Sequence, residues 1–215
     1  ISDGGNMELD VSAVLTMYGG NITGGIAGNN GGNIYDQSKY TTSILGGNIY
    51  QGSAKNGGNI YLKNNGTTHT FVLDNTGDTA VTLYSGTAKE RGGNLYITAD
   101  VTANLNAFRT SSGRAGIEGG DVYTAGNVTL SGTTYIASGY LTDETTPSNL
   151  YVAGPITLDT TAEKAFTATT HIGVTGPIGA FSTNAYDAAA SADALKNFVA
   201  DDEYRPVYVD GTGKL

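Results

Sequence analysis

Cysteine and tryptophan are absent from the 215 residues, and only four prolines are present. Without cysteine the chain cannot form disulfides, so its stability has to come from backbone hydrogen bonds and a buried core. The absence of cysteine is also compatible with a secreted bacterial protein.

Basic residues and long apolar runs are scarce as well. The chain has 11 Lys and Arg against 20 Asp and Glu, which gives a net charge of −9. Such a surface repels phosphate backbones, so we expect no nucleic-acid partner. No run of about 20 apolar residues occurs, so we expect no membrane span. The chain opens inside a repeat without a signal peptide at Ile1, and we therefore expect a segment of a longer parent chain with neighbouring domains.

Glycine, by contrast, is abundant, with 32 residues, many of them in a recurring Gly-Gly-Asn tripeptide followed by an aliphatic residue and often Tyr. The copies are GGNM from Gly4, GGNI from Gly19, GGNIY from Gly31, Gly46 and Gly57, GGNLY from Gly92, and GGDVY from Gly119, with a glycine-free echo, SNLYV, from Ser148. Repeats of this kind indicate an architecture of stacked units.

The spacing of the repeats gives the size of one unit. The gaps between Asn6, Asn33, Asn59, Asn94, Asp121 and Asn149 are 27, 26, 35, 27 and 28 residues. The long gap predicts an eight-residue insertion, either at Lys63–His69 or at Gly86–Arg91. Asn21 and Asn48 form a second set, also 27 apart and half a period out of phase.

A period of 27 with short β-rich pieces between small-residue corners is typical of a parallel β-helix. We predict an all-β fold, a right-handed β-solenoid of about eight coils over residues 1–180, with three strands and three corners in each coil of about 27 residues. Right-handedness follows from the preference of parallel crossover connections.

Strand alternation assigns the side chains of each coil. In GGNIYL from Gly57, Ile60 and Leu62 should point into the core, and Asn59 and Tyr61 away from it. The paired glycines permit left-handed backbone or close approach at a corner. We expect the asparagines of the main set, from Asn33 to Asn149, to stack in one column, where an amide ladder can form.

The last 35 residues have a different composition. Residues 187–204 contain the only helix candidate, with Ala188, Leu195, Phe198 and Val199 as its apolar positions. We predict that residues 181–215 form an irregular final coil with a short helix, which caps the C-terminal end, because solenoids need atypical terminal units.

The GGNIY and GGNLY repeats, with the tail FVADDEYRPVYVDGTGKL, resemble the pectate-lyase-like β-helical regions of very large surface proteins of gut Gram-positive bacteria. They are also similar to the repeats of polymorphic outer-membrane autotransporters. The resemblance implies an extracellular β-helix that acts as an adhesin or a stalk at the bacterial cell surface, or in secreted form, with a glycan or a host or microbial surface protein as partner.

The tyrosines that follow the repeats are the candidate binding residues. Alternation places them on the outer surface in equivalent positions, where aromatic rings can contact sugars or proteins. The alternative is a structural ladder of stacked rings. The candidate site residues are Tyr35, Tyr61, Tyr96, Tyr123 and Tyr151.

Catalysis is the alternative function, since β-helices also carry polysaccharide lyases and hydrolases. Such enzymes need clustered carboxylates, with a basic residue or a second acid nearby. The acids here are scattered, so Glu118, Asp121, Asp143 and Glu144 are interpreted as solvated corner residues, Glu90–Arg91 as an exposed ion pair, and no residue is assigned as catalytic.

Metal binding has little support in the sequence. His69 and His171 have no acidic or histidine neighbour at ligand spacing, so we interpret both as surface or strand residues. The densest acidic group is Asp201, Asp202 and Glu203, which could hold a calcium ion or be solvated at a helix end. We otherwise expect no cofactor.

Overall fold

A computed structural model describes residues 2–66, 69–76, 80–161, 164–176, 180–184, 196–202, 207 and 214–215. The chain winds into a parallel β-solenoid of about six turns that repeat about every 27 residues. The predicted fold class is therefore confirmed. The expected number of coils, about eight, was too high, because the insertions and the C-terminal tail consume residues that the estimate assigned to regular coils.

Four strand segments make up a typical coil, and equivalent segments of successive coils pair in parallel to form four stacks. The first stack contains β1 (Met7–Leu9), β4 (Ile34–Asp36), β8 (Ile60–Leu62), β12 (Leu95–Ile97), β16 (Val122–Thr124) and β20 (Leu150–Val152). The second contains β2 (Thr16–Met17), β5 (Thr42–Ile44), β9 (Thr70–Leu73), β13 (Thr102–Asn106), β17 (Asn127–Ser131) and β21 (Ile156–Leu158). The third contains β3 (Asn21–Thr23), β6 (Asn48–Tyr50), β10 (Val81–Tyr84), β14 (Phe108–Ser111) and β18 (Tyr135–Ile136). The fourth contains β7 (Ser53–Asn56), β11 (Thr87–Arg91), β15 (Arg114–Ala115) and β19 (Tyr140–Leu141).

A typical coil therefore has four strands, where the sequence analysis predicted three. The fourth stack is short and polar, as in SAKN of β7 and TAKER of β11, so it lacks the aliphatic signal of the other strands. β22 (His171–Thr175) pairs with both β18 and β20, and it joins the first and third stacks into one sheet. With β23 (Phe198–Ala200), which pairs with β22, this sheet has 13 strands among the described residues.

The insertion that interrupts the period is divided between three places. Paired residues are 26 apart at Ile34–Ile60, 29 apart at Thr42–Phe71 and 34 apart at Asn48–Thr82. A register shift within β11 adds one more residue, so that Asn56 pairs with Arg91 at a separation of 35. Three extra residues therefore lie between β8 and β9, at the predicted Lys63–His69, and the one in β11 lies within the other predicted segment, Gly86–Arg91. Five lie between β9 and β10, which neither prediction named.

Aliphatic side chains from the first three stacks fill the interior along the whole axis. Ile60 and Leu62 are fully buried, as are Leu95 and Ile97 one coil later. These inward assignments are confirmed, and the register pairs each of the four with its equivalent. Each coil alone has too little apolar surface to bury, so the core exists only because the coils stack.

The described part of the helix candidate contains a strand where the sequence predicted helix. Lys196 and Asn197 have helical backbone, but β23 (Phe198–Ala200) pairs in parallel with β22. Phe198 is buried against the core, so core packing and the pairing with β22 favour the strand at these three residues. The rest of the helix candidate, including Ala188 and Leu195, lies outside the described residues.

Candidate functional site

The Gly-Gly-Asn corner brings the repeats into axial contact, and each of its three residues has a separate physical role. The first glycine has left-handed backbone, with φ of 65° at Gly31, 61° at Gly57 and 65° at Gly92. The second glycine lies against the next coil, and a Cβ on Gly93 would fall 2.0 Å from the carbonyl oxygen of Gly120. Any other residue at the second position would push the coils apart.

The third residue of the corner forms a buried amide ladder. Nδ2 of each asparagine donates to the side-chain Oδ1 one coil further on, at 2.7 Å for Asn6–Asn33, 2.8 Å for Asn33–Asn59, 2.7 Å for Asn59–Asn94 and 2.7 Å for Asn94–Asp121. The predicted column is therefore confirmed. The outward orientation of Asn59 was wrong, since the side chain is fully buried. Asn59 precedes the strand, at the corner, where the alternation of β8 does not apply.

A second row of glycines supports this ladder, and the repeat motif did not reveal it. The backbone N–H of Gly52, Gly86 and Gly113 donates to the ladder oxygens of Asn59, Asn94 and Asp121 at 2.8, 2.9 and 2.9 Å. A Cβ on Gly86 would lie 2.8 Å from both Asn59 Nδ2 and Asn94 Oδ1. The available signal was the spacing of 27 between Gly25 and Gly52, and again between Gly86 and Gly113.

The ladder terminates on a carboxylate at its C-terminal end. Asp201 accepts hydrogen bonds from the Asn149 side-chain amide, from the Asn149 backbone N–H at 2.6 Å and from the Thr175 hydroxyl at 2.5 Å. Both carboxylate oxygens therefore bind the protein itself. The calcium proposal at Asp201, Asp202 and Glu203 extends past the described residues at Glu203. In the described part of the chain, no group of three His, Asp or Glu side chains could hold a metal ion.

The tyrosines form a continuous strip on the outer face of the first stack. Ring centroids are 5.7 Å apart for Tyr35–Tyr61, 4.8 Å for Tyr61–Tyr96, 4.8 Å for Tyr96–Tyr123 and 5.5 Å for Tyr123–Tyr151, with interplanar angles of 6–18°. Tyr35 is only 4% exposed, so its predicted exposure was wrong, whereas the other four rings are half-buried. We call these four residues the tyrosine strip.

Stacking determines which parts of the tyrosine strip can contact a partner. Parallel rings less than 6 Å apart cover one another's faces, so the ring edges and the hydroxyl groups are the groups presented to solvent. Burial raises the pKa of Tyr61 to about 12, and the neighbouring Tyr96 and Tyr35 add to the rise. The Tyr61 hydroxyl therefore remains a neutral hydrogen-bond donor at any physiological pH.

Charged side chains flank the strip in pairs that connect successive coils. Arg91 Nε lies 2.7 Å from Glu118 Oε2, and its guanidinium lies 5.6 Å from the ring centre of Tyr123. Glu90 pairs with Lys55 at 3.3 Å. The expected Glu90–Arg91 pair was therefore wrong, because adjacent residues on a strand point to opposite faces.

No family model, curated protein or solved structure matches the chain. Within the part of the chain that the structure describes, no helix has the length and apolar character needed to cross a membrane. The side-chain geometry is therefore the basis for any functional assignment.

His69 and Asp36 form a fully buried pair that the sequence did not indicate. His69 Nε2 lies 3.2 Å from Asp36 Oδ2, and neither side chain is exposed. The surface or strand position expected for His69 was wrong. Asp36 occupies a core position that is Leu62 in the next coil, and the longer connection before β9 places His69 beside it. The two atoms are close, although the geometry falls outside that of a hydrogen bond.

The buried Asp36–His69 pair should affect the stability of the protein in acid. Burial alone raises the pKa of Asp36, but His69, then Thr42 and the Ser38 amide, outweigh it and leave the pKa lowered. The stabilisation is thus present above the unfolded-state pKa of Asp, about 3.9, and is lost as the pH falls through the lower folded-state pKa. We expect Asp36→Asn to reduce the acid-side loss of unfolding free energy, measured by urea denaturation between pH 2 and pH 6. The exposed Asp100→Asn is the control, and an equal effect of both changes would contradict the assignment.

The remaining predicted positions are found in three settings. His171 is half-exposed on β22, where its ring centre lies 5.6 Å from that of Tyr135. The Arg109 guanidinium lies 4.6 Å from the ring centre of the same Tyr135. Asp143 is exposed in a turn, as expected, and bonds from the side chain and backbone of Thr146 lower its pKa to about 2. Asp121 was expected to be solvated at a corner, but it is fully buried within the amide ladder.

Proposed function

We propose that the chain is a non-catalytic, rigid stalk segment of an extracellular bacterial surface protein, which presents a contact surface to glycan or protein partners. The observation that carries the proposal is the unbroken axial contact between coils. The amide ladder, the stacked tyrosines and the aliphatic core each connect one coil directly to the next.

Axial continuity is the property that a stalk requires. In a solenoid each coil contacts only its neighbours, so bending stiffness depends on the interface between one coil and the next. At the interface between the coils of Asn59 and Asn94, parallel strand pairing combines with a buried side-chain hydrogen bond and a stacked ring pair. The extracellular bacterial setting rests on the resemblance of the GGNIY and GGNLY repeats to bacterial surface β-helices.

The tyrosine strip is the surface that fits a contact role. Its rings repeat along the axis with centroid distances of 4.8, 4.8 and 5.5 Å. Stacking fixes these rings, so binding would immobilise little additional side-chain freedom. Hydroxyl groups at a regular spacing suit the hydroxyls of a glycan or the polar backbone of a protein segment. Multiple copies on a cell surface would raise a weak affinity through avidity.

Replacing Tyr61, Tyr96 and Tyr123 together by Thr should remove this contact and preserve the fold, because Thr is also favoured in strands. We expect glycan or cell adhesion to fall by more than about tenfold, which corresponds to about 1.4 kcal/mol of binding free energy. The measurement is binding to a glycan array and to immobilised cells, with circular dichroism to verify folding.

Tyr18→Thr combined with Tyr40→Thr is the matched control, since these tyrosines are 76% and 46% exposed and lie outside the strip. Adhesion that survives in a folded triple variant would leave the strip as a structural ladder only. A release assay on acidic polysaccharides, run with the same protein, addresses the alternative of a lyase or hydrolase. Product formation would reject the non-catalytic assignment.

A further inference from the structure

The amide ladder has a direction, and Asp121 interrupts it. From Asn6 to Asn94 each side-chain NH2 donates to the oxygen of the next coil, and each oxygen also accepts a glycine N–H. Each NH2 additionally donates to a backbone carbonyl, such as that of Tyr50 for Asn33 and Tyr84 for Asn59. A carboxylate at this position offers two acceptors and no donor.

One oxygen of Asp121 behaves like an asparagine oxygen and the other has no partner. Oδ1 accepts from Asn94 Nδ2 at 2.7 Å and from the Gly113 N–H at 2.9 Å. Oδ2 is buried without a hydrogen-bond partner. An ideal Cβ on Gly139 would lie 3.0 Å from Oδ2, and the Gly139 N–H donates to Asn149 Oδ1 at 2.7 Å. Asp121 Oδ2 and Asn149 Oδ1 thus both lie beside Gly139. In the other coils, the position of Asp121 Oδ2 is taken by the side-chain NH2 of an asparagine.

The groups around Asp121 favour a neutral side chain. Asn94, Thr110 and Gly113 approach from the preceding coil, and Asn149 and Gly139 from the following one, and all five are uncharged. Asp201, beyond Asn149, is the charged group that faces Asp121, and it is also acidic. Burial raises the pKa of Asp121 well above its usual range. The hydrogen bonds from Gly113, Asn94 and Thr110 only partly oppose the rise, to which Asp201 adds.

We propose that Asp121 keeps a proton on Oδ2 at neutral pH and donates the hydrogen bond that joins the ladder to Asn149 and Asp201, so that losing this proton uncouples the last coil. In this arrangement the hydroxyl of the carboxylic acid replaces the missing amide donor. Deprotonation leaves Asp121 Oδ2 and Asn149 Oδ1 as two acceptors with no hydrogen between them, next to the Asp201 carboxylate. The solenoid therefore contains a joint that weakens as the pH rises.

The sign of the pH dependence follows from linkage. An Asp with a raised folded-state pKa binds more protons in the folded state than in the unfolded state, once the pH exceeds the unfolded-state value of about 3.9. The contribution of Asp121 to stability is therefore complete below that pH. As the pH rises above that value, this contribution falls, and the folding equilibrium constant decreases by up to about tenfold per pH unit. The decrease ends when the pH passes the folded-state pKa.

A spectroscopic measurement on the wild-type protein tests the protonation itself. The carbonyl stretch of a protonated carboxylic acid, measured by infrared difference spectroscopy at pH 7 between wild type and Asp121→Asn, should be present only in the wild type. The band should disappear as the pH rises, with the midpoint at the folded-state pKa. A wild-type protein without this band at pH 7 would overturn the proposal, whatever the variant does.

The variants test the consequence for the ladder. Asp121→Asn supplies a permanent NH2, so we expect it to be more stable than the wild type at pH 8, and the ratio of their unfolding constants should change with pH as described above. Asp201→Asn is the matched control, because the same chemical change at a carboxylate that only accepts should lower stability at pH 8. If Asp121→Asn also lowers stability, or if the ratio is independent of pH, the carboxyl is not acting as a donor.

Discussion

Leu105→Asp is expected to remove a large part of the free energy of unfolding at 25 °C. Leu105 is fully buried, and its strand pairs with Leu73 on one side and Leu130 on the other. An aspartate there removes apolar packing from two interfaces and places an unpaired charge in the core, which costs more than about 4 kcal/mol. Single domains have only about 5–15 kcal/mol of stability, and the measurement is chemical denaturation followed by circular dichroism.

Asn104→Asp is the matched control for this prediction. Asn104 is the preceding residue of the same strand, and its side chain is exposed on the outer face. The same charge added there should change the free energy of unfolding by less than about 0.5 kcal/mol. Equal destabilisation by the two changes would mean that the inward and outward assignments of β13 are wrong.

Asn94→Ala is expected to cost about 3–5 kcal/mol, because it removes a central rung of the amide ladder. The side chain donates to Asp121 Oδ1, Thr110 Oγ1 and the Ser111 carbonyl. It also accepts from Asn59 Nδ2 and the Gly86 N–H. Alanine leaves the Gly86 donor buried without a partner, and each unsatisfied buried group costs about 1–3 kcal/mol. Thermal and urea unfolding give the value.

Asn48→Ala separates the buried ladder from the effect of losing an asparagine. Asn48 belongs to the half-period set and donates to Asn21 Oδ1 at 3.0 Å at the surface. We expect a loss of less than about 1 kcal/mol, because water replaces an exposed hydrogen bond. If both variants lose the same stability, the buried ladder contributes no more than a surface pair.

The repeat motif was sufficient to predict the solenoid, the stacked asparagine column and the inward pairs such as Leu95 and Ile97. These features depend only on residues one period apart, and the spacing of the motif gives that period directly. The tyrosine strip was predicted for the same reason, and only the burial of Tyr35 differed.

Features that depend on irregular segments could not be predicted in this way. The Asp36–His69 pair depends on the longer connection before β9, where the regular spacing of the repeats is interrupted. The polar sequence of β11 does not indicate a strand. Only its pairing with β7 and β15 in the structure identifies β11 as one. Phe198 lies in an alanine-rich run with helical propensity, and only the unpaired edge of β22 explains its strand conformation. The protonated state proposed for Asp121 depends on three-dimensional burial, which the replacement of Asn by Asp in the motif does not reveal.

Successive coils form one rigid stack, and pulsed electron–electron double resonance between pairs of spin labels tests this rigidity most directly. The chain has no cysteine, so spin labels attach only at Thr16→Cys and Thr157→Cys, which are exposed positions in equivalent register on β2 and β21. Five strand spacings should separate them, about 24 Å at about 4.8 Å per spacing. The pair at Ser43→Cys and Thr157→Cys should be one spacing shorter, at about 19 Å. We expect two narrow distance distributions that differ by this step. Broad distributions, or equal distances for the two pairs, would contradict a rigid stack.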